Sequence, residues 1–313
     1  MNLDELAASL DVLERVDSSA FQRRARVLQS VWREERGLPC GEHNGRLGAR
    51  ALGSRLPVRF AEDTLANFLT ETVRAVVRAE VCDPDASAGK LYGKPRIFND
   101  LLSSQPLCFN LFGELTRDLP LASALVSSLS RGRFAEVTSI AFELSPGRGD
   151  PLYLSDRSAF DVFLRCRGAA GGTGLVGIEV KYHENLRGTA GDHKARYDEV
   201  ADMMGCFVSD RGPLQFSPLQ QIWRDHLLAG ITRIEDGYDD GMFVILYPRD
   251  NPHVSTALDD YRAQLSNADS FAAWTMEGVV GKLRELSDAA WIDAFSDRYL
   301  AFDKIDLRLG AAD

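Results

Sequence analysis

Asp161, Glu179 and Lys181 are the residues of this 313-residue chain whose types and spacing suit a reaction. They lie in SAFDVFLRCRGAAGGTGLVGIEVKYHE, residues 158–184, with Asp161 on one expected strand and a Glu-x-Lys triplet on the next. Two carboxylates and an amine on paired strands suit metal-assisted phosphodiester hydrolysis. Attack on a centre that is already anionic builds negative charge, and a divalent cation held by carboxylates offsets it. Mg²⁺ takes one or two protein carboxylates and fills its remaining octahedral positions with water and substrate phosphate oxygen. Asp161 and Glu179 fit that donor set. Lys181 would orient the attacking water or help to deprotonate it, and a nearby cation would favour the neutral amine.

Two elements must position these groups. Residues 160–164 form a short apolar run broken by one acid, and residues 175–182 form a second run rich in β-branched side chains. Between them Gly168, Gly171, Gly172 and Gly174 supply the backbone freedom of a hairpin loop. Alternation along the second strand sends Ile178, Val180 and Tyr182 one way and Glu179, Lys181 and His183 the other. With 6 lysines and 46 acids in the chain, an acid two positions before a lysine is expected about once; it occurs twice. The second case, Asp192 and Lys194, sits where a loop enters a helix and has no strand acid upstream. Lysine is also the rarer base, 6 of 36, and its compact ammonium is chemically distinct from a guanidinium. The competing reading is a surface ion pair, with Asp161 capping a turn. Against it, both runs are apolar enough for central strands buried on two faces, where unpaired charge is expensive.

The Asp161, Glu179-Val180-Lys181 arrangement resembles the PD-(D/E)XK superfamily of nucleases. LLSSQPLCFNLFGEL at 101–115 and GIEVKYHE at 177–184 resemble a bacterial, restriction-endonuclease-like branch of it. The likeness covers most of the chain, although the catalytic motif is short; Phe160 stands where the family pattern has Pro. The resemblance implies an α/β fold, with a restriction-endonuclease-like core of mixed central sheet flanked by helices and with helical N- and C-terminal extensions. Laid on that core, the first helix falls at 99–118 and the first strand at 137–144, before the two motif strands. Ser217-Pro218 then opens a helix with the apolar stripe Leu219, Ile222, Trp223 and Leu227, and a strand at 241–247 follows. By the same resemblance the metal ligands are Asp161, Glu179 and the Val180 carbonyl, with Mg²⁺ as cofactor and Mn²⁺ as substitute. Glu114 resembles a helical acid that holds a water on the metal, and Glu136 or Glu143 are alternatives to it. Gln220 and Arg224, four apart on one helix face, resemble a site-facing pair; a solvated polar face is the competing reading. His183 is expected at the rim, and Tyr182 in the core.

Composition sets the remaining bounds. A content of 45% hydrophobic and 26% charged residues is ordinary for a soluble globular protein. The acidic, amphipathic start lacks the pattern of a signal peptide, and no apolar run has the length of a membrane span. Five scattered cysteines without CxxC spacing read as reduced thiols of a cytoplasmic protein. The net charge of −10 sits uneasily with nucleic-acid binding, but residues 235–313 hold 16 acids against 7 bases, so most of it lies there. Arg23, Arg24, Arg26 and Arg33 fall on one helical stretch, either as phosphate contacts or as a helix packed on the core. GAAGGTG is a turn, lacking the GK[ST] of a phosphate-binding loop. The expected organisation is a helical segment 1–90, a catalytic core 91–250 and an acidic C-terminal segment 251–313 of strand and helices, wrapped as one unit. The expected partner is nucleic acid, DNA in particular, with a homodimer suited to double-strand cleavage. The rival expectation is a silent member of the same fold that binds nucleic acid or a protein.

Overall fold

The first 113 residues hold a run of mostly short helices, several of them started by side-chain caps. The computed structural model describes residues 1–310 apart from 13, 15, 46, 47 and 189. Asn2 and Glu5 form a reciprocal capping box on α1 (Leu3–Ser9), and Ser19 caps α2 (Ala20–Glu35). A hairpin of β1 (Gly41–Gly45) and β2 (Gly48–Leu52) follows, then α3 (Val58–Thr64), α4 (Glu71–Val77), α5 (Arg96–Asn99) and α6 (Ser104–Phe112). Residues 61–81 do not form one helix, because Leu65 takes a left-handed backbone after α3 and Thr70 caps a new helix. Together with α12 (Ala290–Tyr299) and α13 (Asp303–Gly310) these elements belong to one compact unit, residues 1–88, 92–113 and 288–313.

The arginines of α2 are spent inside this unit. Arg26 forks onto Asp17 at 2.6 and 2.8 Å, Arg33 donates to the Gly53 carbonyl, and Arg24 pairs with Asp306. Arg23 lies 3.7 Å from Asp4. The packed-helix reading therefore holds for this stretch. All five cysteines are free, and among the described residues no helix is long and apolar enough to cross a membrane.

The second unit, residues 89–91 and 114–287, is an α/β sandwich around one mixed sheet. Strands β3 (Phe134–Leu144), β4 (Phe160–Gly168), β5 (Thr173–Val180), β6 (Asp240–Tyr247) and β7 (Phe271–Thr275) lie in that order. The first three are antiparallel, and β5, β6 and β7 are parallel. Parallel pairing needs crossovers, supplied by α8 (Ala195–Met204) with α9 (Leu219–Glu235) and by α10 (Pro252–Arg262). Helices α7 (Leu119–Leu129) and α11 (Met276–Leu286) complete the unit. Against the expected segments 1–90, 91–250 and 251–313, β7 and α11 stay with the sheet, and α12 and α13 go with the N-terminal helices.

Two details correct the expected core. The helix that packs on β3 is α7, not a helix over 99–118: that stretch is broken into α5, α6 and a single turn at Glu114–Thr116. Asp118 accepts from the Leu121 amide and starts α7 just where the expected helix was to end. Ser217 does not cap α9; its hydroxyl donates to the Leu186 carbonyl, and Pro218 occupies the cap without a side-chain bond.

Tight packing holds the motif strands. A Cβ on Gly177 would sit 2.4 Å from the Phe160 ring, so the glycine of β5 makes room for the aromatic residue that stands in place of the family's Pro. Helix α9 is pinned by His226, fully buried, whose Nδ1 is 2.8 Å from the Tyr261 hydroxyl and whose Nε2 is 2.9 Å from the Ser270 hydroxyl. Burial holds its pKa down at about 3, so the folded protein keeps it neutral.

Gly177→Ala should lower the unfolding free energy by about 1–3 kcal/mol, since backbone and ring must both move; an unchanged urea midpoint would show that Phe160 relocates freely. The unfolded chain takes up a proton on His226 below pH 6.5 while the folded chain refuses it until about 3. Stability is thus fully present above pH 6.5 and declines as pH falls, about 2 kcal/mol of it between pH 6.5 and 5. Urea midpoints at pH 7 and 5 should differ less in His226→Gln than in the wild type, and equal differences would remove the histidine as the cause.

Candidate active site

The ladder between β4 and β5 ends with Val162 opposite Ile178. Two residues further on, the Val180 amide donates instead to Asp161 Oδ2 at 2.8 Å, so a side-chain carboxylate takes the place of the next backbone partner. A strand residue presents its N–H and C=O on the same edge, which puts the Val180 carbonyl on the edge that Asp161 occupies. Because β4 begins and β5 ends here, Asp161 and the 179–181 triplet meet at one end of the sheet.

Glu179 and Lys181 lie on or just beyond the middle strand, and each is only 7% exposed. Lys181 Nζ donates to Glu179 Oε1 at 2.6 Å, and Gln221 Nε2 donates to the same oxygen at 2.9 Å. This is a buried pair with a helix side chain on it, not a surface ion pair. The turn after Lys181 is equally fixed. Glu184 Oε2 accepts from the Tyr182 and His183 amides, and buried Asn251 donates to the Tyr182 and Glu184 carbonyls at 3.1 Å each.

Charge is unbalanced at this edge. Burial and then the neighbouring Glu179 push the Asp161 carboxyl well above the usual range, against Lys181 and the Val180 amide. For Lys181, burial works against the charge, but Glu179, Glu184 and Asp161 outweigh it and hold the ammonium above its ordinary pKa. Buried Asp225, one turn beyond Gln221 on α9, is also pushed well up, first by burial and then by Glu179. Its Oδ2 has no hydrogen-bond partner.

The other candidates distribute as follows. Glu143 lies between the pairs Phe142↔Val162 and Leu144↔Phe160, hence opposite Asp161, and its charge acts on that acid. It also takes a left-handed backbone, φ +50°, a conformation that costs a non-glycine residue about 1–3 kcal/mol. Glu136 is at the other end of β3, exposed and 3.8 Å from Arg167. Glu114 is on the single turn before α7 rather than on a helix over 99–118. Gln220 faces away from Glu179 and clamps Gly191, accepting from its amide and donating to its carbonyl at 2.6 Å each. Gln221 is the residue that reaches the carboxylate, and sequence reasoning passed over it. Its signal was there as a second glutamine, four residues before the only acid in the first half of α9. His183 is half-buried beyond the strand end and Tyr182 is fully buried.

The donor set fits a hard divalent cation. Asp161 Oδ1 and Glu179 Oε2 carry no hydrogen bond among the described residues, each carboxylate being held through its other oxygen. No group of three or more His, Cys, Asp or Glu side chains is gathered among the described residues, so the edge offers carboxylates and a carbonyl rather than a closed cage.

No curated protein and no solved structure matches the chain. The sequence does match the PD-(D/E)XK nuclease superfamily over residues 15–301, which is nearly its whole length. That match agrees with the five-stranded mixed sheet flanked by helices. The chain belongs to the PD-(D/E)XK nuclease superfamily.

Proposed function

We propose that this protein is a metal-dependent nuclease that hydrolyses phosphodiester bonds in DNA, with Asp161, Glu179 and Lys181 as its catalytic residues. The observation that carries the reading is the convergence of the Asp161–Val180 and Lys181–Glu179 bonds on one sheet end, with one oxygen of each carboxylate left without a partner among the described residues. Mg²⁺, or Mn²⁺ in its place, would offset the negative charge that builds at the phosphate under attack. Asp161 Oδ1, Glu179 Oε2 and the Val180 carbonyl are the atoms that would hold it.

The side chains around these ligands do the rest. Lys181 hydrogen-bonds Glu179 through Nζ and is the group that would orient the attacking water or, where a neighbouring cation favours the neutral amine, help to deprotonate it. Gln221 fixes the Glu179 carboxylate from the helix side, so that the oxygen used by the cation does not swing away. Burial of the pair removes water that would compete for both charges and makes each interaction stronger than it would be at the surface.

Purified protein incubated with Mg²⁺ or Mn²⁺ should cut at least one of plasmid, linear duplex or single-stranded DNA, with RNA of matched sequence cut more slowly. Asp161→Asn, Glu179→Gln and Lys181→Met should each reduce cleavage by about 10²-fold or more, as expected for groups that stabilise charge in the transition state. Cleavage that survives these changes removes the assignment, and DNA binding without metal-dependent cleavage in the wild type points to the silent relative instead. Metal binding itself should register without any substrate. At a concentration of 100 times its dissociation constant, Mn²⁺ should stabilise the wild type by about 2.7 kcal/mol, seen as a rise in melting temperature that Asp161→Asn and Glu179→Gln lack. An equal rise in all three proteins would place the ion elsewhere.

A further inference from the structure

Beside the carboxylates lies a cavity that the catalytic reading does not use. Its volume is about 140 Å³, around ten times the minimum that holds one water, and its described walls are Leu186, Gly188, Ala190 and Gly191 on one side and the start of α9 on the other. Among the described residues Arg224 is its one charged lining residue, and no acid lines it. The guanidinium makes no hydrogen bond or ion pair among the described residues, and its Nε is buried without a partner. A buried donor atom of a charged group that has no acceptor in a native fold calls for one.

Three features keep this arginine open. A Cβ on Gly191 would approach Arg224 Nη1 to 3.3 Å, so the glycine leaves the head of the side chain uncovered. The two 2.6 Å bonds from Gln220 hold Gly191 in place, which makes the wall rigid. Helix α9 begins here without a side-chain cap, so its positive end adds to the attraction for an anion. Gln221 both lines the cavity and donates to Glu179, so the two places share a side chain.

We propose that this cavity is a phosphate subsite in which Arg224 binds an internal backbone phosphate of the strand being cut, next to the phosphodiester held at Asp161 and Glu179. The inference rests on the nuclease reading. A planar fork of donors suits a phosphate's oxygens better than a lysine would, and a contact to the backbone positions the strand without reading its sequence. The subsite sets the register of the strand relative to the catalytic groups.

The test uses full-length protein and a DNA oligonucleotide that the wild type cleaves. Arg224→Met should lower kcat/KM about 10-fold, mainly through KM, and by the same factor for unrelated sequences. In the Glu179→Gln background, where binding is read without cleavage, Arg224→Met should reduce the salt slope of log K by about 0.7–0.9, the signature of one lost phosphate contact. Arg224→Lys should restore part of the affinity. An unchanged salt slope and KM in Arg224→Met overturn the subsite while leaving the nuclease reading intact, since wild-type cleavage tests that separately. An effect confined to oligonucleotides with a terminal phosphate also overturns it, because the cavity would then read a chain end. A lower melting temperature with an unchanged salt slope assigns Arg224 to packing alone.

Discussion

The structure of the sheet unit turns on burying one ammonium among several carboxylates at the end of its middle strand. Taking ions out of water carries a penalty of several kcal/mol each, and the attraction between Lys181 and Glu179 repays it only if the geometry is held. Asp161, Glu179 and Glu184 all act on that one lysine, so the edge is short of positive charge even with Lys181 protonated. A divalent cation is the natural complement to such an edge, and a rigid frame is its precondition. The frame is visible in the packing of Phe160 over Gly177, in the His226 bonds that fix α9, and in Asn251, whose amide ties the strand-end turn to the start of α10.

Mixed pairing explains why the groups meet where they do. An antiparallel β4–β5 hairpin brings the start of one strand beside the end of the next, which is how residues 161 and 179 come together across 18 positions. The parallel step from β5 to β6 then requires a crossover, and the crossover returns the first turns of α9 to the same end of the sheet. Helix α9 can therefore place Gln221 on Glu179 and Arg224 in the adjacent cavity at once. Neither strand pairing alone would supply both the carboxylates and a helix start at one edge.

What the sequence reveals of this arrangement depends on range. The hairpin is legible because its glycines, its apolar runs and its alternation are all local, and strands at 160–168 and 173–180 follow. The region 99–118 is misread because short-range capping outcompetes helical periodicity: Asp100 turns extended after α5, and Asp118 opens α7. Choosing Gln220 over Gln221 is a different kind of failure. Adjacent helix residues point about 100° apart, and only the docking of α9 on β5 and β6 decides which one meets Glu179. Glu143 was within view as an alternative, yet its place opposite Asp161 depends on the β3–β4 register, shifted twice by irregular pairing.

Net charge illustrates the same limit and resolves an apparent contradiction. A chain at −10 looks ill suited to a polyanion, but some of its C-terminal acids are already committed to bases in their own unit. Asp306 pairs with Arg24, and Asp297 with Lys304. Lys304 and Arg308 in turn engage Glu35 and Glu34 of α2. These contacts are satisfied at short range, and screening removes most of what remains beyond about 10 Å at moderate salt. Binding of a phosphate backbone is governed by the charges that lie open where the strand passes. At the sheet edge the described residues set a half-buried arginine, with no hydrogen bond or ion pair, near two carboxylates that each keep one oxygen uncommitted, so the local balance of charge there differs from that of the whole chain.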